Sequence, residues 1–258
     1  MSMRRVLITG ASGGIGTILL ERLASRYELV GVSRRDGEGP NGVVIHAADI
    51  RSLDALQPFM NGIDTVVHLA GDASTSATWE SVHELNILGM RNVLEAARLG
   101  GVRRVVFASS NHAMGMYDRD GEWPVYNHQL PRPDSLYGVS KVFGETIGRF
   151  YHDECGLEFI ALRIGWSTSD IGVTKDDLLR AMWLSPDDTA QIVERAIEAP
   201  VTFGIYYAIS DNPNRRWDLT DTMLELGYRP KDSWEDALGE GEEVVAGGAP
   251  ADAGWPNG

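Results

Sequence analysis

The chain has 258 residues, 43% of them apolar, which is enough for one sizeable core and excludes a disordered protein. A formal charge of −14 with no basic stripe excludes an ordinary nucleic-acid-binding surface. No apolar run is long enough to span a membrane, and the single cysteine, Cys155, excludes a disulfide framework or a cysteine metal site. The opening MSMRRVLITG enters an apolar run directly and carries no signal-peptide pattern, so a cytoplasmic enzyme is expected. The acidity fits either ordinary surface charge or adaptation to high salt.

Apolar runs alternate with helical patterns along the chain. Strands are expected at 4–9, 28–33, 43–48, 64–70, 102–110 and 158–164, with helices at 14–26, 52–60, 79–99 and 135–153 between them. That alternation predicts right-handed crossovers and an α/β fold, a doubly wound parallel sheet covered on both faces. After residue 165 the pattern loosens. A loop at 166–175 precedes a helical stretch at 176–184. Ser185-Pro186-Asp187-Asp188 then reads as a helix start, a cap followed by proline and two acids. That helix should run to about Ala199, and a strand is expected at 204–210. The composition divides into a dinucleotide-binding core over 1–165, a small substrate-binding cap over 166–238, and a mobile tail rich in Gly, Ala and Glu over 239–258.

Residues 9–16 read TGASGGIG between the first strand and the first helix. Glycines at 10, 13 and 16 let the backbone turn tightly and approach a pyrophosphate, and the helix N-terminus offers free N–H groups to it. Gly10, Ser12, Gly13, Gly14, Ile15 and Gly16 are therefore candidate cofactor residues. An acid often ends the second strand in NAD sites, where it meets the ribose hydroxyls. Here that position holds Ser33, followed by Arg34 and Arg35. Two guanidiniums suit a 2′-phosphate, so the cofactor is NAD(P), with NADP favoured. The competing possibility is that both arginines are solvated and Asp36 takes the ribose.

Tyr137 and Lys141 lie four residues apart and share a helix face. A nearby ammonium favours the phenolate, which would make Tyr137 a usable base near neutrality. Ser109 and Ser110, ending the fifth strand, are the candidate partners for the reacting oxygen.

Taken together, TGASGGIG, HLAG at 68–71 and Tyr-Gly-Val-Ser-Lys at 137–141 resemble the extended branch of the short-chain dehydrogenase/reductase superfamily. The resemblance implies a Rossmann core in which Leu69, Ala70, Gly71, Asp49, Ile50 and Ile164 lie along the cofactor, with Asp49 near the adenine amino group. It selects Ser110 as the catalytic serine, with Ser109 as a possible stand-in, and makes Asn86 a support for the active site.

FASSNHAMGMY at 107–117, RPDSLYGVSKVFGE at 132–145 and LRIG at 162–165 narrow the resemblance. They look like the uronate dehydrogenases and related sugar dehydrogenases, including the archaeal type acting on glucose 6-phosphate. Such enzymes oxidise C1 of a cyclic sugar to a lactone. A uronate is the favoured substrate, with a neutral aldose or glucose 6-phosphate as alternatives. Asn111 and His112 match the family's Ser-Asn-His motif at the sugar, and Ser74 and Ser167 lie beyond strand ends, where ligands bind in such sheets. Arg180, before Trp183-Leu184-Ser185, is the candidate anion clamp, but position 178, where the resemblance places the family's arginine, holds Leu. A nucleotide-sugar epimerase with tightly held NAD would use the same catalytic residues. The family also implies a homodimer or higher homo-oligomer. No metal is expected.

Overall fold

In a computed structural model, residues 3–238 are described. An eight-stranded sheet runs in the order β10-β7-β6-β5-β1-β2-β4-β3. Its strands are β1 (Arg5–Thr9), β2 (Glu28–Ser33), β3 (Gly37–Glu38), β4 (Val44–Ala47), β5 (Thr65–His68), β6 (Arg104–Ser110), β7 (Glu158–Ile164) and, returning from the C-terminal region, β10 (Phe203–Ala208). A separate parallel pair is formed by β8 (Trp166–Ser167) and β9 (Trp183–Leu184). All ladders of the main sheet are parallel except β3 on β4. The expected doubly wound parallel sheet is therefore present.

Successive strand residues face opposite sides, and the core divides accordingly. Val6, Ile8, Val67 and Val106 pack with Leu19, Leu20, Ile192 and Val193 on one face. Leu7, Val66, Val105 and Phe107 pack with Leu56, Met90, Val93 and Leu94 on the other. The first face is covered by α1 (Gly14–Leu23) and, later in the chain, by α8 (Pro186–Glu198). The second is covered by α2 (Leu53–Leu56), α4 (Gly89–Leu99) and, through Ile147 and Tyr151, the later α6 (Leu136–Cys155), while α3 (Trp79–Ser81) and π-helical turns over Val82–Leu88 lead into α4. After β6 a short 3₁₀ turn (Asn111–Met114) leads into α5 (Gly115–Arg119), followed by the long α6 (Leu136–Cys155).

Helix starts are set by local chemistry. Ser135 Oγ accepts from the Gly138 N–H at 3.1 Å to begin α6. Ser185 does the same for α8 (Pro186–Glu198), accepting from Asp188 N with Pro186 in the first turn, as the sequence predicts.

The C-terminal region differs from expectation. The helix expected over 176–184 is only α7 (Asp177–Ala181), because Trp183–Leu184 leaves it to pair with Trp166–Ser167 and the Trp183 indole donates to Thr168 O. An apolar run such as AMWLS reads equally as helix or buried strand, and only its pairing partner decides. Two further helices, α9 (Thr220–Glu225) and α10 (Trp234–Leu238), and the hairpin edge β3 were not anticipated. The expected tail at 239–258 lies outside the described residues.

Candidate active site

The C-terminal ends of β1, β2, β4, β5, β6 and β7 open onto one cleft of about 1350 Å³. Open α/β sheets bind ligands at this edge, where strand order reverses about β1. At the centre, Gly10 has φ +73°, and a Cβ there would stand 2.9 Å from Ala70 N. A Cβ on Gly16 would stand 2.5 Å from Gly10 O, so α1 packs against the loop only because residue 16 is glycine. Gly13 is the N-cap of α1 and makes no side-chain cap. The first-turn N–H groups of this ten-residue helix thus lack a side-chain partner and can receive a pyrophosphate. Ser12, Gly14 and Ile15 line the same wall. This glycine cradle fits a dinucleotide.

The β2–β4 side of the cleft is lined by Ser33, Arg34, Asp49 and Ile50. Ser33 and Ser12 share a hydrogen bond between their hydroxyls. Arg35 is exposed and does not line the cleft. Asp36 is turned away, its carboxylate accepting the Ala47 N–H at 2.8 Å. Asp49 is gripped by Arg51, whose Nε and Nη2 donate to it at 2.8–3.1 Å while Nη1 reaches Glu84 at 2.8 Å. These bonds hold the Asp49 carboxyl below its usual range. Arg51 and Glu84 both line the cleft and were missed in the sequence. The position of Arg51, two residues after Asp49, was the available signal.

Leu69, Ala70 and Gly71 carry the wall from β5, and Ile164 adds its side from β7. His68 is fully buried behind them and shares a 2.7 Å hydrogen bond with the Thr9 hydroxyl, which also accepts from Ala70 N. Burial, assisted by the Lys141 charge, lowers its pKa to about 3, so it is neutral. HLAG thus contributes a buried strap as well as a surface, a role the sequence reading did not assign.

Asn86 sits in the π-helical turn and points inward. Its Oδ1 accepts from Asp72 N at 2.7 Å, and its Nδ2 donates to Asp72 O and to Ser140 Oγ, each at 2.9 Å. It therefore ties the turn after β5 to α6 rather than lining the cleft itself. π-turns recur where a side chain must be re-aimed.

Ser110, Tyr137 and Lys141 meet at the β6 end of the cleft. Ser110 and Tyr137 line the same part of the cleft, where the Ser110 Oγ donates to Asn111 Oδ1 at 3.3 Å and accepts from His112 N at 3.2 Å. Ser109 turns the other way and donates to Glu145 at 2.6 Å. Gly138 brings α6 close, since a Cβ there would stand 2.3 Å from His112 O. Lys141 is buried, donates to Ala108 O at 2.7 Å, and holds its Nζ 5.3 Å from the Tyr137 ring centre. Burial pushes the Lys141 ammonium down to about 8, against the charge of Glu145. Burial also pushes the Tyr137 phenol up, opposed by the Ser110 hydroxyl and reinforced by Asp134 and Asp72. The direction is therefore opposite to the lowered Tyr137 pKa expected from its lysine neighbour, because desolvation is the largest cause.

Of the remaining candidates, His112 lines the cleft and shares a 2.8 Å hydrogen bond with Asp134. Burial raises the Asp134 pKa, but the bond to His112 outweighs it and leaves the carboxyl below its usual value. Ser167 lines the cleft and contacts the Thr189 hydroxyl. Asn111 is buried, with its Nδ2 on the Met182 sulfur and its Oδ1 accepting from Ser110. Ser74 is exposed and bonded to Ser76, away from the cleft wall. Arg180 is buried with its guanidinium 4.8 Å from the Trp234 ring centre, its Nε donating to Thr174 O, and does not line the cleft. Asp72, Glu80 and Trp166 do line the β5–β7 side of the cleft and were not anticipated.

The sequence model of the NAD dependent epimerase/dehydratase family matches residues 6–166. The chain is 41% identical over 254 residues to an L-arabinose 1-dehydrogenase (NAD(P)(+)) of Haloferax volcanii, covering 90% of this chain and 98% of that protein. It is 36% identical to an NAD-dependent glucose-6-phosphate dehydrogenase of the same organism, covering 93% and 97%. Its fold superposes on a uronate dehydrogenase structure from Agrobacterium tumefaciens with a TM-score of 0.82 at 32% identity, covering 98% and 92%.

Proposed function

The chain belongs to the NAD dependent epimerase/dehydratase family, and from that premise we propose that it is an NAD(P)-dependent dehydrogenase oxidising C1 of a cyclic aldose to its lactone. The observation that carries this reading is the meeting of Ser110, Tyr137 and Lys141 in the cleft that also holds the uncapped N-terminus of α1. When bound, the oxidised nicotinamide supplies the hydride acceptor and a positive charge. Tyr137 takes the C1 hydroxyl proton, and Ser110, which lines the cleft with it, holds the same oxygen. The Lys141 ammonium, on the same helix face, favours the phenolate against the cost of its burial. Residues 166–238 serve as the substrate-binding cap, contributing Trp166 and Ser167 to the cleft.

NADP is the favoured cofactor. Asp36 is committed to Ala47 N, which leaves Arg34 and the Ser33 hydroxyl at the end of β2. That end suits a phosphate better than a bare ribose.

A neutral aldose is the favoured substrate. Among the described residues lining the β5–β7 side of the cleft, Lys141 is the only lysine or arginine, whereas Asp72 and Glu80 are both there. Arg180 is wedged on Trp234, and residues 239–258 contain no Lys or Arg. An anionic sugar would thus meet carboxylates without a guanidinium, a repulsion that costs about tenfold in kcat/KM or more. A uronate is the second reading, favoured by the Ser-Asn-His segment at 110–112.

Initial rates of NAD(P)H formation test all three points. Arabinose, galactose, glucose, glucuronate, galacturonate and glucose 6-phosphate are each offered with NAD and with NADP. Turnover of a neutral sugar with higher kcat/KM for NADP is expected. Preferential turnover of uronates would restore the uronate assignment. No turnover of any sugar, with a stoichiometric nucleotide that survives gel filtration, would replace the dehydrogenase by an epimerase.

A further inference from the structure

Tyr137, Lys141 and Glu145 follow one another at intervals of four along α6 and form one buried stripe. Tyr137 and Lys141 reach the cleft, whereas Glu145 does not. Its Oε1 accepts from Ser109 Oγ at 2.6 Å and from Arg163 Nε at 2.8 Å, and its Oε2 accepts from Arg163 Nη2 at 2.8 Å. Arg163 is also buried and donates onward to Asn127 O. Ser109 and Arg163 are register partners on β6 and β7, and the next register pair is Ser110 and Ile164, both at the cleft. The carboxylate thus clamps α6, β6 and β7 together one residue behind the reacting groups.

A buried Glu–Arg pair adds little net stability, because desolvation of both ions offsets their attraction. The charge is better explained by its neighbour. Lys141 is buried, its hydrogen bond is to the neutral Ala108 carbonyl, and among the described residues it makes no ion pair. The groups facing it are Tyr137 and Glu145 from its own helix, neutral His68 from β5, and Arg163 from β7 behind Glu145. Glu145 is the one negative charge among them.

On the reading that Ser110, Tyr137 and Lys141 carry the proton chemistry, we infer that Glu145 is a positioning residue for this set, anchoring the Ser110 strand end through Ser109 and offsetting the burial of the Lys141 ammonium. Burial and the opposing Glu145 charge put Lys141 near 8, so the group titrates where the enzyme would work.

The chain has lysines only at 141, 175 and 231. A lysine-¹³Cε NMR titration of the purified protein is therefore simple, and a Lys141→Arg variant assigns the resonance. Glu145→Gln keeps the shape but loses the charge, so the Lys141 midpoint should fall by about one pH unit or more. The alkaline limb of kcat/KM should move to lower pH with it. Glu145→Asp keeps the charge and should restore most of the midpoint. Arg163→Gln strips the counter-charge from Glu145 and should move the midpoint the opposite way, upward. That second variant keeps the test intact if Glu145→Gln does not fold. An unmoved Lys141 resonance in Glu145→Gln, or a downward shift in Arg163→Gln, would overturn the proposal. Because the NMR readout needs no turnover, the predicted shifts in a protein that oxidises no sugar would sink the dehydrogenase reading and leave the charge coupling standing.

Discussion

Replacing Asn86 with Ala would remove the amide that ties the turn after β5 to α6. The Asp72 N–H loses its acceptor at 2.7 Å, and the Asp72 carbonyl loses its donor at 2.9 Å. Ser140 is less affected, because its hydroxyl still donates to Tyr137 O at 2.6 Å. A buried polar group left unpaired costs about 1–3 kcal/mol. Asp72 is only partly buried, so water recovers part of the loss, and about 2 kcal/mol is expected for the two groups together. In a protein of this size that lowers Tm by about 4–8 °C. The freed turn carries Gly71 and Asp72, which line the cleft, and misplaced binding groups cost about tenfold or more in kcat/KM. Asn86→Asp should do no better, because it keeps the acceptor for Asp72 N but sets an oxygen against the Asp72 carbonyl. Thermal melts by circular dichroism and steady-state kinetics with varied cofactor measure both effects. An Asn86→Ala protein melting within about 1 °C of the parent with unchanged KM for the cofactor would refute the clasp.

Other consequences can be checked in the same preparations. Gly16→Ala places a Cβ 2.5 Å from Gly10 O and 2.6 Å from Ala11 O; it should cost about 1–3 kcal/mol and weaken NADPH binding in a fluorescence titration. Tyr137→Phe keeps the buried ring and should lower kcat about 10²–10⁴-fold with little change in the melt. Asp64 gives a pH signature. Burial raises its pKa, but hydrogen bonds from Arg103 at 2.8 and 3.0 Å outweigh this and bring it to about 2. Its folded pKa lies below the unfolded one, so its contribution is present above the ordinary carboxylate pKa and is lost as pH falls toward 2. Solvent screening reduces that contribution to about 1 kcal/mol. Asp64→Asn should flatten acid denaturation in that range, and an unchanged acid limb would refute the assignment.

Much of this protein is written in local pattern. The alternation of apolar strands and amphipathic helices up to residue 164 specifies the parallel sheet, because each period names its element and right-handed crossovers leave few topologies. Glycines at 10, 13 and 16 and the four-residue spacing of Tyr137 and Lys141 are equally local, since a turn and one helical face define them. Those signals point to the glycine-lined wall of the cleft and to the Tyr137 and Lys141 pair that reaches it.

What the sequence could not decide depends on contacts between distant segments. Spacing alone does not separate Ser109 from Ser110, and only the resemblance favoured Ser110; strand alternation sends Ser109 to Glu145 and leaves Ser110 in the cleft with Tyr137. Arg180 looks like an anion clamp by its place before Trp183, but its guanidinium stacks on Trp234, more than fifty residues later. Asp36 looks available to a ribose until β4 arrives to use it. The pKa of Tyr137 follows from burial, which no spacing reports. Backbone form is a near-neighbour property and is legible in sequence. The direction a polar side chain faces, and the charge it keeps, are decided by what the completed fold brings beside it.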